Sequence, residues 1–201
     1  MKRMSVIVLV LLLGACAAPV NRKSSENHAM AAQAALNNGD WDSARRQWAQ
    51  AVVNAELGNE NPRKLATLYY EYGRALGVNC FFDKSSMYLN KAYELDKTNS
   101  GPAHMSLLEL ARLNYDQKKY SQAVPYFEKL LPIYKKYDAE KRDPAGVALV
   151  YEEYSKSLAS VGEESKASSF AKRSSELKSV GYQSNTERTP YGTQCVKEES
   201  R

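Results

Sequence analysis

LLELARLNYDQKKYSQAVPYFEKLL, residues 107–131, decides the fold. Leu107, Leu110, Ala111 and Asn114 recur at steps of three and four, which is one face of a 3.6-residue helix. A turn follows at residues 117–119, and the rhythm resumes with Tyr120, Ala123, Val124, Phe127, Leu130 and Leu131. Two amphipathic helices joined by so short a turn can bury their apolar stripes only by folding on one another. Ala111 and Ala123 stand where the two axes must approach, and Tyr120 and Phe127 fill the space around them.

Three other stretches repeat this plan. In residues 26–56, Ala32, Ala35 and Leu36 precede the turn Asn38-Gly39-Asp40, and Trp41, Ala44, Trp48 and Ala51 follow it. Residues 65–96 carry Tyr69, Tyr72, Gly73 and Leu76, a turn at Val78-Asn79-Cys80, then Phe82, Ser85, Leu89, Ala92 and Leu95. Residues 147–180 carry Tyr151, Tyr154, Ser155 and Leu158, then Gly162, Ala167, Phe170, Ala171 and Leu177. The last of these helices is rich in Ser, Lys and Glu, which suits a cap whose outer face meets water. Pro132 is expected to bend or stop its helix, and the charged run 135–142 to form a solvated helix end and loop.

This order of small and bulky residues resembles the tetratricopeptide repeat, TPR. The small positions Ala44, Ser85, Ala123 and Ala167 are 41, 38 and 44 residues apart, longer than the family's period, so the connections between repeats must be longer. Such extension costs little, because loop-closure entropy grows only logarithmically with length. The resemblance spans residues 26–180 and implies an all-α, right-handed TPR-like solenoid of about four helix pairs over residues 28–181. It also implies a concave groove, lined by the first helix of each pair, that holds extended peptides or helices. Carried over position by position, the groove comprises Gln33, Leu36 and Asn37, then Tyr70, Glu71, Arg74 and Val78. Leu108, Glu109, Arg112 and Tyr115 follow, with Glu152 and Lys156 from the fourth repeat. Gln33, Arg74, Arg112 and Lys156 make a mostly basic column that would prefer a partner with acidic groups. The other reading is a solvated face on which Glu71, Glu109 and Glu152 neutralise the bases.

The chain ends carry the remaining signals. Met1, Lys2 and Arg3 supply charge and residues 6–13 an apolar run too short to span a bilayer, which suits a signal peptide over residues 1–15. Leu13-Gly14-Ala15-Cys16 resembles a bacterial lipobox, which implies cleavage before Cys16 and a lipid on its sulfur; the alternative is ordinary cleavage at Ala15 and Ala17. Several acyl chains on Cys16 would anchor the protein firmly. Ala17 in place of Asp after Cys16 points to the outer membrane, periplasmic side. Residues 16–27 are polar and aperiodic, as expected of a tether, and residues 182–201 form an irregular tail. Net charge is +5 over 201 residues, with bases and acids interspersed, which gives no basis for nucleic-acid binding.

Catalytic constellations are lacking in the sequence. His28 and His104 have no partners at ligand or nucleophile spacing, there is no CxxC and no glycine-rich phosphate loop, and neither a metal nor a cofactor is expected. Glu152 and Glu153 are helix neighbours that point apart, and solvated charge is the simpler account of both. With Cys16 lipidated, Cys80 and Cys195 are an even pair in an oxidising compartment. A disulfide between them would draw the tail back onto the second repeat, within the reach of about 45–50 Å of residues 181–195; two free thiols are the alternative. The expectation is a non-enzymatic adaptor that binds envelope proteins or peptides in its groove. It is similar in plan to the pilotin lipoproteins of type IV pilus and secretion assembly. A scaffold for cell-wall enzymes and an envelope enzyme with an unrecognised site are the other readings.

Overall fold

The computed structural model describes residues 2–179 and 188–196, with side chains for residues 17–179 and 188–196. The described residues form nine helices: α1 (Lys2–Asn37), α2 (Trp41–Leu57), α3 (Pro62–Val78), α4 (Phe82–Thr98), α5 (Ala103–Asp116), α6 (Tyr120–Lys136), α7 (Ala139–Arg142), α8 (Pro144–Ser160) and α9 (Glu164–Lys178). α1 packs on α2, α3 on α4, α5 on α6 and α8 on α9, and each hairpin leans on the next through α2–α3, α4–α5 and α6–α8.

The four hairpins close identically. Gly39, Cys80, Lys118 and Gly162 sit at φ +71°, +70°, +59° and +85°, each in the middle of its three-residue connection. The following amide reaches back five residues in every case: Asp40 to Ala35, Phe81 to Leu76, Lys119 to Asn114 and Glu163 to Leu158, at 2.9–3.0 Å. This is the Schellman arrangement, which satisfies carbonyls that the helix end leaves without partners. Glycine takes the left-handed conformation freely, whereas Cys80 and Lys118 carry a cost of roughly 1–2 kcal/mol each.

Helix packing follows the small residues. Ala44, Ser85 and Ala123 are fully buried and Ala167 is nearly so. The Ser85 hydroxyl satisfies itself by donating to the Gly73 carbonyl at 2.7 Å. A Cβ on Gly73 would lie 2.8 Å from Leu89, so the second hairpin requires glycine there. One cluster around Trp48, Val52 and Tyr69 joins the first two hairpins, and another around Leu107, Phe127 and Leu158 joins the last two.

Three expectations are corrected. α6 runs unbroken through Pro125 and Pro132. The two interior prolines cost roughly 3 kcal/mol each, and complete burial of Phe127 and Leu130, at about 1.5–3 kcal/mol each, offsets half or more of that. Within the charged run 135–142, residues 139–142 form the short helix α7 rather than a loop. Residues 16–27 are not a tether but part of α1. Their polar side chains find partners on α2: Ser25 is buried and donates to the Ala51 carbonyl at 2.7 Å, and Arg22 Nε donates to the Gly58 carbonyl at 2.8 Å. The side chain of Cys16, and residues 180–187 and 197–201 of the expected tail, lie outside the described residues.

Candidate functional site

α1, α3, α5 and α8 present their free faces to one side of the stack, and the C-terminal residues 188–196 run across that side from the fourth repeat to the first. Arg188 opens the crossing with a two-pronged contact to Asp116 at 2.6 and 2.9 Å and a third bond to Glu153 at 2.7 Å. Thr189 is fully buried and accepts from Arg74 Nε at 2.8 Å. Tyr191 is 5% exposed, packs with Leu89, Leu110 and Leu113, and donates its hydroxyl to Glu109 at 2.6 Å. Its ring fills the place of a side chain that Gly77 does not have: a Cβ there would stand 2.5 Å from two ring carbons.

Beyond Tyr191 the backbone takes over. The amides of Gly192 and Gln194 donate to the carbonyls of Gly77 and Val78 at 3.1 and 3.0 Å, and the Gln194 side chain reaches the Gly39 carbonyl. Both carbonyls lie in the last turn of α3; Gly77 also accepts the Cys80 amide at 3.1 Å, and at Val78 the tail supplies the amide that the helix does not. Cys195 and Cys80 are joined by a disulfide, with Cα atoms 4.9 Å apart. The left-handed turn therefore places Cys80 where the end of the crossing tail meets it.

The positions named for the groove do not form a free basic column. Among the described residues Gln33 bonds to Asn37, one turn away on the same helix, at 3.1 Å. Arg74 pairs with Glu71 at 3.0 Å and lies over the rings of Tyr70 and Trp41. Burial works against its charge, but Glu71, Tyr70 and Glu109 more than compensate, and its pKa stands above the ordinary arginine value. Burial raises the Glu71 pKa, against the pull of Arg74. Arg112 is 4% exposed and pairs with Glu153 at 2.9 Å. Lys156 is exposed and held by Glu152 at 2.6 Å. Tyr115 packs edge-on against Tyr120, with Arg188 over its ring. The structure thus brings Tyr70, Arg74, Glu109 and Arg112 together, while Gln33, Asn37 and Lys156 stay outside the cluster.

Glu153 corrects the expectation of solvated charge. It is 8% exposed and takes both Arg112 and Arg188, whereas its neighbour Glu152 is at the surface. Formally, Glu71, Glu109, Asp116 and Glu153 face Arg74 and Arg112, so the surface beneath the tail carries two net negative charges before Arg188 is added. The acidic strip lies under the tail, while the cleft beside it is lined by Arg74, Lys97, Arg112, Lys136 and Arg142 together with Glu71, Asp96, Glu109 and Asp143. Sequence reasoning missed Arg188, Thr189, Tyr191, Gly77, Asp116 and Glu153. The one available signal was Gly77, a second helical glycine one turn after Gly73, which marks a close approach to something.

Beside the tail the concave side stays open as a cleft of about 1000 Å³. Tyr70, Met105, Leu108, Val147 and Val150 supply its apolar wall, and Arg74, Glu109 and Arg112 border both the cleft and the tail. His104 also lines it, and burial holds its imidazole below the ordinary pKa. His28 binds Gln47 at 2.8 Å instead. Among the described residues no three His, Cys, Asp or Glu side chains come together as a metal would require.

Comparison with solved structures places this architecture. The chain is similar to BtubC (BKLC) from P. vanneervenii, with a TM-score of 0.72 at 17% identity over 88% of this chain and 71% of that one. It is similar to a putative kinesin light chain of nearly identical TPR-like repeats from Podosopora anserina, with a TM-score of 0.62 at 16% identity over 80% and 77%. MamA gives a TM-score of 0.61 at 15% identity over 78% and 79%. No protein-family model and no curated protein matches the sequence. The fold is an all-α TPR-like solenoid.

Proposed function

We propose that this chain is a non-catalytic adaptor, tethered by lipid on Cys16 to the periplasmic side of an outer membrane, that holds an envelope protein in the open cleft of its concave side. The observation that carries the binding half is the cleft itself, apolar along Met105, Leu108, Val147 and Val150 and polar where Arg74, Glu109 and Arg112 meet it. A concavity with an apolar wall and a rim of charges of both signs, among them Lys97, Lys136 and Arg142 against Asp96 and Asp143, is suited to a protein segment. The anchoring half is supported by the charged start, the apolar run and the Leu13-Gly14-Ala15-Cys16 tetrad. Assembly of an envelope machine such as a pilus or secretion pore is the setting in which such an adaptor would serve.

The test uses the full chain in its native envelope. A photo-crosslinking residue at Met105 should yield a discrete adduct, and the same residue at the exposed Lys129 on α6 should not. Metabolic palmitate labelling should be lost in Cys16→Ser. Equal adducts at both positions would remove the cleft from the reading, and label retained in Cys16→Ser would remove the anchor.

A further inference from the structure

Residues 188–191 behave as a ligand of the solenoid. They follow the last helix, α9, and contribute no helix of their own. Their two anchoring side chains enter sites built by other repeats: Arg188 between Asp116 of α5 and Glu153 of α8, and Tyr191 against Gly77 of α3 and Glu109 of α5. Three contacts decide the fit. A guanidinium matches a carboxylate in a forked geometry that other cations do not reproduce. A phenol donates to a buried carboxylate while its ring fills a glycine-made socket. Main-chain amides then cap the end of α3. Arg and Tyr are enriched among the anchors of protein interfaces; here Tyr191 is buried and Arg188 is half-buried at the rim.

We propose that the surface beneath residues 188–191 is a recognition site for an extended segment of another protein that carries an arginine followed three residues later by a tyrosine, and that the chain's own tail is its resident occupant. The inference rests on reading the concave side as a protein-binding surface, but it concerns the tail-covered strip and not the open cleft. Charge agrees with it: stripped of the tail, the strip holds four carboxylates against two guanidiniums. The Cys80–Cys195 bond keeps the occupant in place, and Cys195 is exposed at its outer end. A dithiol reductant opens the lock, becoming a disulfide itself as Cys80 and Cys195 take up two electrons and two protons. A tail of the same chain competes at an effective concentration on the order of millimolar, so an external segment wins only when it binds more tightly or the tail is weakened.

The test titrates a fluorescent peptide RTPYGTQ, residues 188–194, against two full-length chains. One is the oxidised wild type, and the other carries Arg188→Glu, Tyr191→Ala and Cys195→Ser. The altered chain should bind at least about 100-fold more tightly, within the range that release of an intramolecular competitor provides. Peptides with alanine for tyrosine, or glutamate for arginine, should lose that binding. Equal, weak binding by both chains overturns the proposal. A second measurement guards against misfolding of the triple variant. In Arg188→Glu with Cys195→Ser, which weakens the tail and frees the Cys80 thiol, peptide RTPYGTQC activated as a thionitrobenzoate disulfide should modify Cys80 faster than a scrambled peptide does; equal rates overturn the proposal. A tail-exchanged dimer that excludes the peptide also overturns it, since the occupant would then be a second copy. Peptide binding without adducts at Met105 sinks only the cleft reading, and adducts without peptide binding sink only this one.

Discussion

The hydroxyl of Tyr191 donates to Glu109 at 2.6 Å across 82 residues of sequence, while its ring rests where Gly77 has no side chain. Burial pushes the Tyr191 pKa well above its ordinary value, with the Glu109 charge adding to the effect, so the phenol stays a donor. The pair ties the tail to the second and third repeats at once. Everything the tail does depends on that seat.

Gly77→Ala should unseat it. A Cβ 2.5 Å from the ring of Tyr191 and 2.8 Å from the Ser85 hydroxyl is overpacking, which costs about 1–3 kcal/mol, partly offset by about 1 kcal/mol of helix propensity. Global stability should therefore change little while the tail loses its place. Trypsin cleavage after Arg188, followed by reducing mass spectrometry, should accelerate in the variant; an unchanged rate would show that the socket does not hold the tail.

Glu153→Ala should be among the most damaging single changes in α8. It leaves Arg112, with its side chain 5% exposed, without its carboxylate, and breaking one side of a buried pair costs about 3–5 kcal/mol. The double change Arg112→Met with Glu153→Leu should recover most of that loss, because no buried charge is left over and Arg188 keeps Asp116. Urea unfolding of the three chains gives the comparison. A double variant no more stable than Glu153→Ala would mean that packing, not charge, is at stake.

Cys195→Ser removes a bond that closes a separation of 115 residues. Loop-closure entropy puts its contribution at about 4–5 kcal/mol, which for a chain of this size is roughly 10–15 °C in Tm. Calorimetry of the wild type with and without dithiothreitol should reproduce the shift. Identical melting curves would show that the tail stays seated without the bond.

Glu152 provides a pH test. Hydrogen bonds from Lys156 and Lys178 lower its pKa from the ordinary 4.5 to about 2. A folded-state pKa below the unfolded value stabilises above pH 4.5 and loses that effect as the pH falls towards 2. Lys178 lies on α9, so part of this bond holds the last hairpin closed. The urea midpoint of wild type should exceed that of Glu152→Gln at pH 6 and match it near pH 2. The gap should shrink with salt because these groups are at the surface. A gap of the same size at both pH values would assign it to packing.

The hairpins were legible because their determinants are local. The 3.6-residue stripes, the small residues at crossings and the spacings of 41, 38 and 44 residues are all written within a few turns of each helix. The same spacings separate the left-handed residues Gly39, Cys80, Lys118 and Gly162. Pairing Cys80 with Cys195 could be named from the sequence as a possibility, since it needed only an even count; where the tail would lie on its way there could not. The basic column did not survive as a free surface because Glu71 and Glu153 pair with Arg74 and Arg112; the neutralising role of Glu71 was legible in the sequence, whereas those of Asp116 and Glu153 were not.

What the sequence determined by itself is therefore the repeating unit, since a helix and its turn are specified by residues that are neighbours in the chain. Only the tertiary structure decided that residues 188–195 lie across the concave side, that Glu153 is buried and that the strip beneath the tail is acidic. Those outcomes depend on contacts between residues 35 to 155 positions apart, and the polar, aperiodic tail carries no pattern that announces them. Charge in a groove is a sum over everything that faces it, and that sum exists only once the helices are stacked.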